Sequence, residues 1–235
     1  MELEDLKTFL ANAHVVDLSK KVSPGKAAGP FETGARLYQI EPFTYPPGEL
    51  MHKISMESHI STHVEAPIHY VRPRYHREAK DISELPLSAF FGVAVLVDCH
   101  TFPPRTAIGK EILYRFPIME KDIVLFGNSP HTTDDRCFLA REGVEYLVRK
   151  QIKMVGIDDT VYGENPEYRL KVFEKYYTHD LLLSNDIPLI EGLTNLGELT
   201  TQRFFFIAVP AKMGGLESFP VRAVAIEQVM SREES

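Results

Sequence analysis

The sequence is poor in cysteine, positive charge and long apolar runs. The two cysteines, Cys99 and Cys137, lie far apart and form no CxxC motif, which excludes a disulfide framework and a thiolate zinc site. The net charge of -7 argues against a general nucleic-acid-binding protein, because neutralising phosphates requires a concentrated basic surface. We therefore expect two buried, reduced thiols and no nucleic-acid partner.

No apolar run approaches the roughly 20 residues that are needed to span a bilayer. The N-terminal sequence MELEDLKTFL is acidic where a secretory signal peptide would be basic. These two features predict a cytoplasmic protein with no membrane partner. The chain has 235 residues, of which 44% are hydrophobic, so it can bury a sizeable core.

Apolar periodicity predicts a sheet whose strands alternate with helices. Apolar spacing predicts helices over 138–152 and 167–183, and a short N-terminal amphipathic helix that covers part of the core. No internal repeat or linker divides the chain, so we expect a single α/β or mixed α+β domain over residues 1–235. Short runs rich in β-branched residues predict the strands at 92–98, 123–126, 153–158, 187–190, 204–209 and 221–226.

The stretch HISTHVEAPIH, from His59 to His69, contains three of the nine histidines. In an extended chain alternate side chains share a face, so His59, His63, Glu65 and His69 would lie together. If the first half is helical instead, His59 and His63 are still neighbours at i and i+4. Imidazole and carboxylate groups suit Zn²⁺, Mn²⁺ or Fe²⁺. The alternative is a set of surface or hydrogen-bonded histidines, and the clustering with a glutamate favours a metal site.

Two further candidates lie far downstream in THDLLLSNDIPLIEGLTNL. His179 sits beside an apolar helical run, and Glu191 follows the predicted strand IPLI, at the strand end where α/β proteins place their sites. A carboxylate there would be poorly solvated unless it were paired. The sequence alone leaves both residues open between metal binding and a structural role.

The chain resembles the metal-dependent cyclase/hydrolase family that includes bacterial kynurenine formamidase and isatin hydrolase. The family signature HxGTHxDxPxH corresponds to HISTHVEAPIH here. Further landmarks match in order, so the resemblance covers nearly the whole chain. They are VDLS near residue 17, DISELPL at 81–87 followed by GVAVLVD, VGIDDT at 155–160, HDLLLSNDIPLIEGLTNL at 179–196 and PVRAVAIE at 220–227.

The resemblance implies a swivelling β/β/α cyclase-like fold, assembled as a homodimer or larger homo-oligomer. It also implies a hydrolase acting on carbon–nitrogen bonds other than peptide bonds in a small-molecule substrate, similar to an arylformamidase. His69 would be the acid/base residue. One or two divalent ions are expected, with zinc favoured over manganese. The implied metal ligands are His59, His63, Glu65, His179 and Glu191.

The chain departs from the family at two positions of the signature. Ser61 replaces the family's glycine, so the local backbone conformation is expected to differ. Glu65 replaces the family's aspartate, which bridges two zincs in bacterial kynurenine formamidase; the number of ions therefore stays open. The sequence FGNSPH and the basic loop from Arg72 to Lys80 also depart from the family, so the substrate is left open.

Two rival functions remain at this point. One is a non-catalytic metal- or small-ligand-binding protein on the same scaffold, and the other is a lactonase or cyclase of the same family. A structural metal site is closed by four protein ligands, whereas a catalytic site keeps an exchangeable position. The irregular stretch from Ser23 to about Leu50, rich in glycine and proline, predicts long surface loops, which would allow a neighbouring subunit to contribute to the pocket.

Overall fold

The apolar runs of the sequence form the centre of a mixed sheet in the computed structural model, which describes residues 3–25, 38–46, 48–70, 79–168 and 176–228. The strands of the described ranges are β1 Ala13–Asp17, β2 Tyr38–Tyr45, β3 Glu49–Met56, β4 His63–Glu65, β5 Phe91–Asp98, β6 Ala107–Ile108, β7 Ile123–Gly127, β8 Cys137–Leu139, β9 Met154–Asp158, β10 Val161–Tyr162, β11 Leu189–Leu193, β12 Arg203–Ile207, β13 Ser218–Pro220 and β14 Val224–Gln228. The α-helices of the same ranges are α1 Leu3–Ala11, α2 Lys110–Leu113, α3 Arg141–Arg149 and α4 Tyr177–Leu183.

Within the described ranges, the main sheet has nine strands in the order β1-β14-β12-β5-β7-β9-β11-β4-β13. The four central strands β5, β7, β9 and β11 run parallel, and the strands beyond them on both sides pair antiparallel. A separate three-stranded parallel sheet has the order β10-β8-β6. The sheet therefore combines an α/β centre with antiparallel flanks, as the mixed pattern of the sequence predicts.

Alternate residues of the central strands enter two different apolar cores. In β7, Leu125 belongs to one buried cluster, while Val124 and Phe126 belong to the other. Both faces of these strands are covered, which explains why their sequences are continuously apolar rather than alternating. The second cluster also includes Leu147 of α3 and Leu182 of α4, so these helices pack on one face of the sheet.

Three element predictions need correction. Helix α1 forms, but it buries no residue and Leu3 is 77% exposed, so it does not cover the core. The predicted helix over 138–152 is shorter, because Cys137–Leu139 pairs in parallel with two strands as β8. The strand predicted at 187–190 is displaced, because its pairing with β4 and β9 covers Leu189–Leu193.

Parts of two predicted regions fall outside the described residues. The predicted helix over 167–183 is described only from residue 176, where α4 occupies Tyr177–Leu183. Most of the basic loop from Arg72 to Lys80 also lies outside the described ranges. Within those ranges, no helix is both long and apolar enough to cross a bilayer.

Strands β2 and β3 form a hairpin of eight residues per strand that pairs with no other described strand. Almost all of its residues are exposed. The exposed side chains include large apolar ones on both strands. These are Ile40, Phe43, Tyr45, Leu50, Met51 and Ile54.

Candidate metal centre

The pairing of two strands creates the first part of the site. Strand β4 lies antiparallel to β11, and its register places His63 directly opposite Glu191. Val64 points into the apolar core, so its neighbours His63 and Glu65 point to the opposite side. Glu191 lies inside β11 rather than after the strand, which corrects its predicted position. Glu191 is therefore brought next to His63 by the register of β11 against β4, and not by a position at the end of a strand.

A tight turn before β4 returns His59 to the same place. Ser61 adopts a φ of 59°, the left-handed conformation that glycine favours. Ser61 thus adopts a conformation that a glycine at this position would adopt at lower cost. Its carbonyl oxygen lies 3.0 Å from His63 Nδ1 and would lie 2.6 Å from a Cβ added at Gly192. A side chain at Gly192 would therefore push the turn away from β11.

The remaining two histidines come from short helical segments. His69 lies in a single 3₁₀ turn, Pro67–Tyr70, because the chain leaves the sheet at Pro67. His179 lies in the first turn of α4, which packs against that 3₁₀ turn. The fold thus brings all six predicted site residues into one cluster.

Glu65 is the centre of this cluster. Its Oε1 lies 3.1 Å from His59 Nδ1, 3.6 Å from His63 Nε2 and 3.6 Å from His69 Nε2. Its Oε2 lies 3.3 Å from His179 Nε2. The carboxylate is 2% exposed. Each of its two oxygens therefore faces imidazole nitrogens in a place that water does not reach.

Two nitrogens and one oxygen of the cluster mark where a cation would fit. His59 Nδ1 and His63 Nε2 face each other at 3.1 Å. Glu65 Oε2 is buried and makes no regular hydrogen bond, although His179 Nε2 lies 3.3 Å from it. A buried carboxylate oxygen without a partner is costly, and a bound cation would satisfy it.

The donor groups fit a divalent ion of the zinc type, because each can supply one nitrogen or oxygen atom. His59, Glu65 and His69 form one set whose ligand atoms lie within 4.8 Å of one another. His63, Glu65 and Glu191 form a second such set. His179 Nε2 lies 3.8 Å from Glu191 Oε1 and so adjoins the second set. Glu65 belongs to both sets.

The charges of the cluster are strongly coupled. Burial alone would raise the pKa of Glu65, but the positive charge of His179 and hydrogen bonding from the histidines lower it well below its ordinary value. Burial also opposes the charged form of His179, yet the carboxylates of Glu164 and Glu65 raise its pKa well above the usual value. The protein thus compensates for a buried carboxylate with histidine protons.

The other members of the cluster respond differently. Burial and the negative charge of Glu65 raise the pKa of Glu191 to about 7. Although burial opposes it, contact with Glu65 raises the pKa of His63. Burial lowers the pKa of His69, which therefore favours the neutral imidazole near neutral pH. Neutral His69 can therefore accept a proton.

Two carboxylates at the edge of the cluster were missed from the sequence. Glu164 lies 2.6 Å from His179 Nδ1, and Glu217 lies 3.3 Å from His59 Nε2. Both stand in connecting segments, where no periodicity or motif distinguishes a glutamate from a solvated one. Their proximity to histidines depends on tertiary folding, which local pattern does not reveal.

The fold and the site together define an α/β protein built around a candidate divalent-metal centre. The chain belongs to the cyclase family: the family model described as "Putative cyclase" matches residues 16–162. This match confirms the resemblance read from the motif and its landmarks.

Individual relatives cover nearly the whole chain. Kynurenine formamidase of Erythrobacter litoralis (strain HTCC2594) is 24% identical over 234 residues, covering 94% of this chain and 98% of that protein. Isatin hydrolase A from Labrenzia aggregata, bound to benzyl benzoate, superposes with a TM-score of 0.77 at 22% identity, covering 96% of this chain and 99% of that one. This likeness confirms the cyclase-like fold.

A third relative carries a broader description. A structure described as "predicted metal-dependent hydrolase from Bacillus stearothermophilus" has a TM-score of 0.68 and 26% identity, and covers 91% of this chain and 98% of that one. The names of the three relatives agree with the hydrolase class that the sequence predicted, and the two solved structures have the same fold as this chain.

Proposed function

We propose that this protein is a metal-dependent hydrolase that cleaves a small amide, cyclic amide or lactone. The observation that carries the proposal is the buried Glu65, surrounded by four histidines and left with an unpartnered oxygen. Family membership and the hydrolase relatives support the reaction class. Arylformamidase-like cleavage of a carbon–nitrogen bond is the leading reaction.

The proposed ligands are His59, His63, Glu65, His179 and Glu191, because their nitrogen and oxygen atoms converge within a few ångströms. Zinc is the proposed ion and manganese the alternative, with one or two ions per chain. A bound dication would supply a Lewis acid and lower the pKa of a coordinated water from 15.7 towards ~7. Glu191 and the histidines must give up their protons to bind it, so binding is expected to release protons.

His69 is the proposed acid/base residue. Its side chain is 30% exposed, whereas the side chains of His63 and Glu65 are almost fully buried. It thus stands between the buried ligands and the solvent. In the neutral form it accepts a proton from the attacking water and then donates that proton to the departing nitrogen or oxygen.

Substrate hydrolysis before and after chelation tests the proposal directly. The purified protein would be assayed on N-formyl anilines, cyclic imides, isatin-like lactams and lactones, with its metal content measured in parallel. We expect activity on at least one class, lost with the metal and restored by adding zinc or manganese. Activity that survives complete removal of metal contradicts the mechanism, and metal binding without any hydrolysis favours the binding-protein alternative.

We also propose that the protein is a homodimer assembled through the β2–β3 hairpin. A two-stranded hairpin is at best marginally stable alone in water. This one carries exposed apolar side chains on both strands, including the cross-strand pair Ile40 and Ile54. A second copy of the chain would cover these side chains.

Light scattering coupled to gel filtration tests this assembly. The measured mass of the wild type is expected to be twice the chain mass of 26.7 kDa. Replacing Ile54 by lysine places a charge in the proposed interface and should shift the mass towards one chain. Replacing Lys53 by alanine, on the same strand, is the matched control and should leave the dimer intact. A monomeric wild type contradicts the assembly.

A cytoplasmic location is proposed on the basis of the cysteines. Cys99 and Cys137 are buried and free, as expected of a protein from a reducing compartment. Fractionation of cells that express the protein would place it, and recovery in an exported fraction contradicts the proposal.

A further inference from the structure

An imidazole that binds a metal through one ring nitrogen has a second nitrogen, which needs a partner of its own. That partner fixes which nitrogen carries the proton and where the lone pair of the other points. His63 uses a backbone group, because its Nδ1 lies 3.0 Å from the Ser61 carbonyl oxygen. For His179 and His59 the partners are side chains outside the ligand set.

Glu164 is the partner of His179. Its Oε1 lies 2.6 Å from His179 Nδ1 and also accepts the backbone N–H of His179 at 3.4 Å. Glu164 is 9% exposed and lies two residues after β10, the strand that ends at Tyr162. The preceding Gly163 carbonyl accepts the Thr178 hydroxyl, which ties this loop to the start of α4. The carboxylate is therefore held by the fold on the far side of the ring from Glu65.

The two ring nitrogens of His179 thus meet different carboxylates. Nδ1 faces Glu164, whereas Nε2 faces Glu65 Oε2 at 3.3 Å and Glu191 Oε1 at 3.8 Å. If Nδ1 donates its proton to Glu164, the lone pair of Nε2 is directed at the atoms around the proposed cation. A carboxylate that accepts this proton also increases the electron density that the other nitrogen can donate.

We propose that Glu164 is a positioning residue, which sets the ring orientation and the Nδ1–H tautomer of His179 for metal binding. This inference rests on the proposed function, since it takes His179 as a ligand. Glu164 itself does not reach the ion; it acts through the ring. Its effect is therefore on metal affinity first and on activity only as a consequence.

Glu217 provides a natural comparison. It lies 3.3 Å from His59 Nε2, but its side chain is 35% exposed and it also accepts the Ser58 hydroxyl. Water competes for an exposed carboxylate and screens its charge. Removing the charge of Glu217 should therefore matter much less than removing that of Glu164, although both glutamates adjoin a ligand histidine.

The test compares Glu164→Gln with Glu217→Gln, which change charge and not size. Zinc affinity of the metal-free protein would be measured by competition with a chromophoric chelator, and the melting temperature would be recorded without metal. We expect Glu164→Gln to weaken zinc binding by about 10–100-fold and Glu217→Gln by less than about fivefold. Wild-type affinity in Glu164→Gln, or an equal loss in both variants, overturns the inference.

A double-mutant cycle with His179→Ala separates positioning from a general structural effect. If Glu164 acts through the ring, Glu164→Gln should cause no further loss of affinity once His179 is alanine. An unchanged loss in that background overturns the inference while leaving the proposed function intact. If the wild type does not bind zinc, or His179→Ala binds it as tightly as the wild type, the proposed ligand set is wrong and this inference falls with it.

A measurement on the wild type covers the case in which Glu164→Gln does not fold. The ¹⁵N chemical shifts of the His179 ring in the zinc-loaded protein report which nitrogen carries the proton. We expect a protonated Nδ1 and a metal-bound Nε2. A protonated Nε2 overturns the inference.

Discussion

Two buried glutamates lie near opposite edges of the main sheet, and different kinds of hydrogen-bond donor surround their carboxylates. Glu227 on β14 is 1% exposed and Glu65 on β4 is 2% exposed, so both carboxylates are removed from water. Glu227 accepts the backbone N–H groups of Thr200 at 3.0 Å and Thr201 at 2.7 Å, the Thr201 hydroxyl at 2.7 Å, and lies 3.0 Å from His14 Nδ1. Among the described residues, the polar groups closest to the Glu65 oxygens are ring nitrogens of titratable histidines, and one of its oxygens has no hydrogen-bond partner.

The difference separates the structural carboxylate of Glu227 from the proposed ligand carboxylate of Glu65. Fixed backbone donors satisfy Glu227 whatever the solution contains, because amide protons do not dissociate. The histidines around Glu65 can exchange their protons for a cation, so the same oxygens remain available to a metal. Burial alone therefore does not identify the ligand; the nature of the surrounding donors does.

The matched substitution Glu65→Gln should have the largest effect. It removes the shared ligand at the centre of the cluster, and with it both water activation and stabilisation of the developing oxyanion. We expect activity to fall to the level of the metal-free protein. The rise in melting temperature that zinc gives the wild type should also disappear. Activity assays and thermal unfolding with and without zinc check this; a variant that still binds zinc like the wild type contradicts it.

His69→Ala should have the next largest effect and distinguishes proton transfer from metal binding. We expect a loss of about 10²–10⁴-fold in rate, because a general acid/base is removed. Metal content should stay at the wild-type level. His69 also belongs to one of the candidate ligand sets, so loss of bound metal in this variant would make it a ligand and refute its proposed role.

Glu227→Gln should show the opposite behaviour to Glu65→Gln. The amide cannot accept all the hydrogen bonds of the carboxylate and places an N–H₂ group against donors, which should cost roughly 1–3 kcal/mol in the free energy of unfolding. Zinc affinity and activity should not change. Urea denaturation and chelator competition measure the two quantities, and a change in zinc affinity would show that the two ends of the sheet are not independent.

The pH dependence of stability should sharpen the comparison further. Burial alone would raise the pKa of Glu227, but hydrogen bonds from Thr201 and Thr200 lower it below the usual 4.5. Its contribution to stability is therefore fully present above pH 4.5 and is lost as the pH falls through the lower pKa of the folded state. The stability difference between wild type and Glu227→Gln should shrink across that acidic range in denaturation experiments, and a difference that grows towards low pH contradicts the assignment.

The local pattern of apolar residues correctly predicted those elements whose own sequence is distinctive. The runs at 92–98 and 123–126 became central strands because both of their faces are apolar. The motif from His59 to His69 predicted a cluster without its exact geometry, since a turn at Ser61 and a 3₁₀ turn at Pro67 replace a continuous strand. The family, the fold and the hydrolase class are confirmed, whereas the roles of the individual site residues stay predictions.

The features that the sequence did not reveal depend on contacts between distant segments. Glu191 was predicted to follow a strand, but it pairs with His63 of β4, and pairing with β9 extends β11 to Leu193. Glu164 becomes significant only because α4 returns His179 to its side. Apolar spacing correctly predicts a helix at Leu3–Ala11 but not whether any surface covers it.

The central claim is that Glu65 and its histidines bind a divalent cation. Crystals of the protein soaked with zinc and measured at the zinc absorption edge test it most directly. The account predicts an anomalous peak about 2.0–2.2 Å from a Glu65 oxygen and from the ring nitrogens of at least two of the four histidines. A fully formed cluster with no peak among these atoms, at a zinc concentration that occupies other sites, would contradict it.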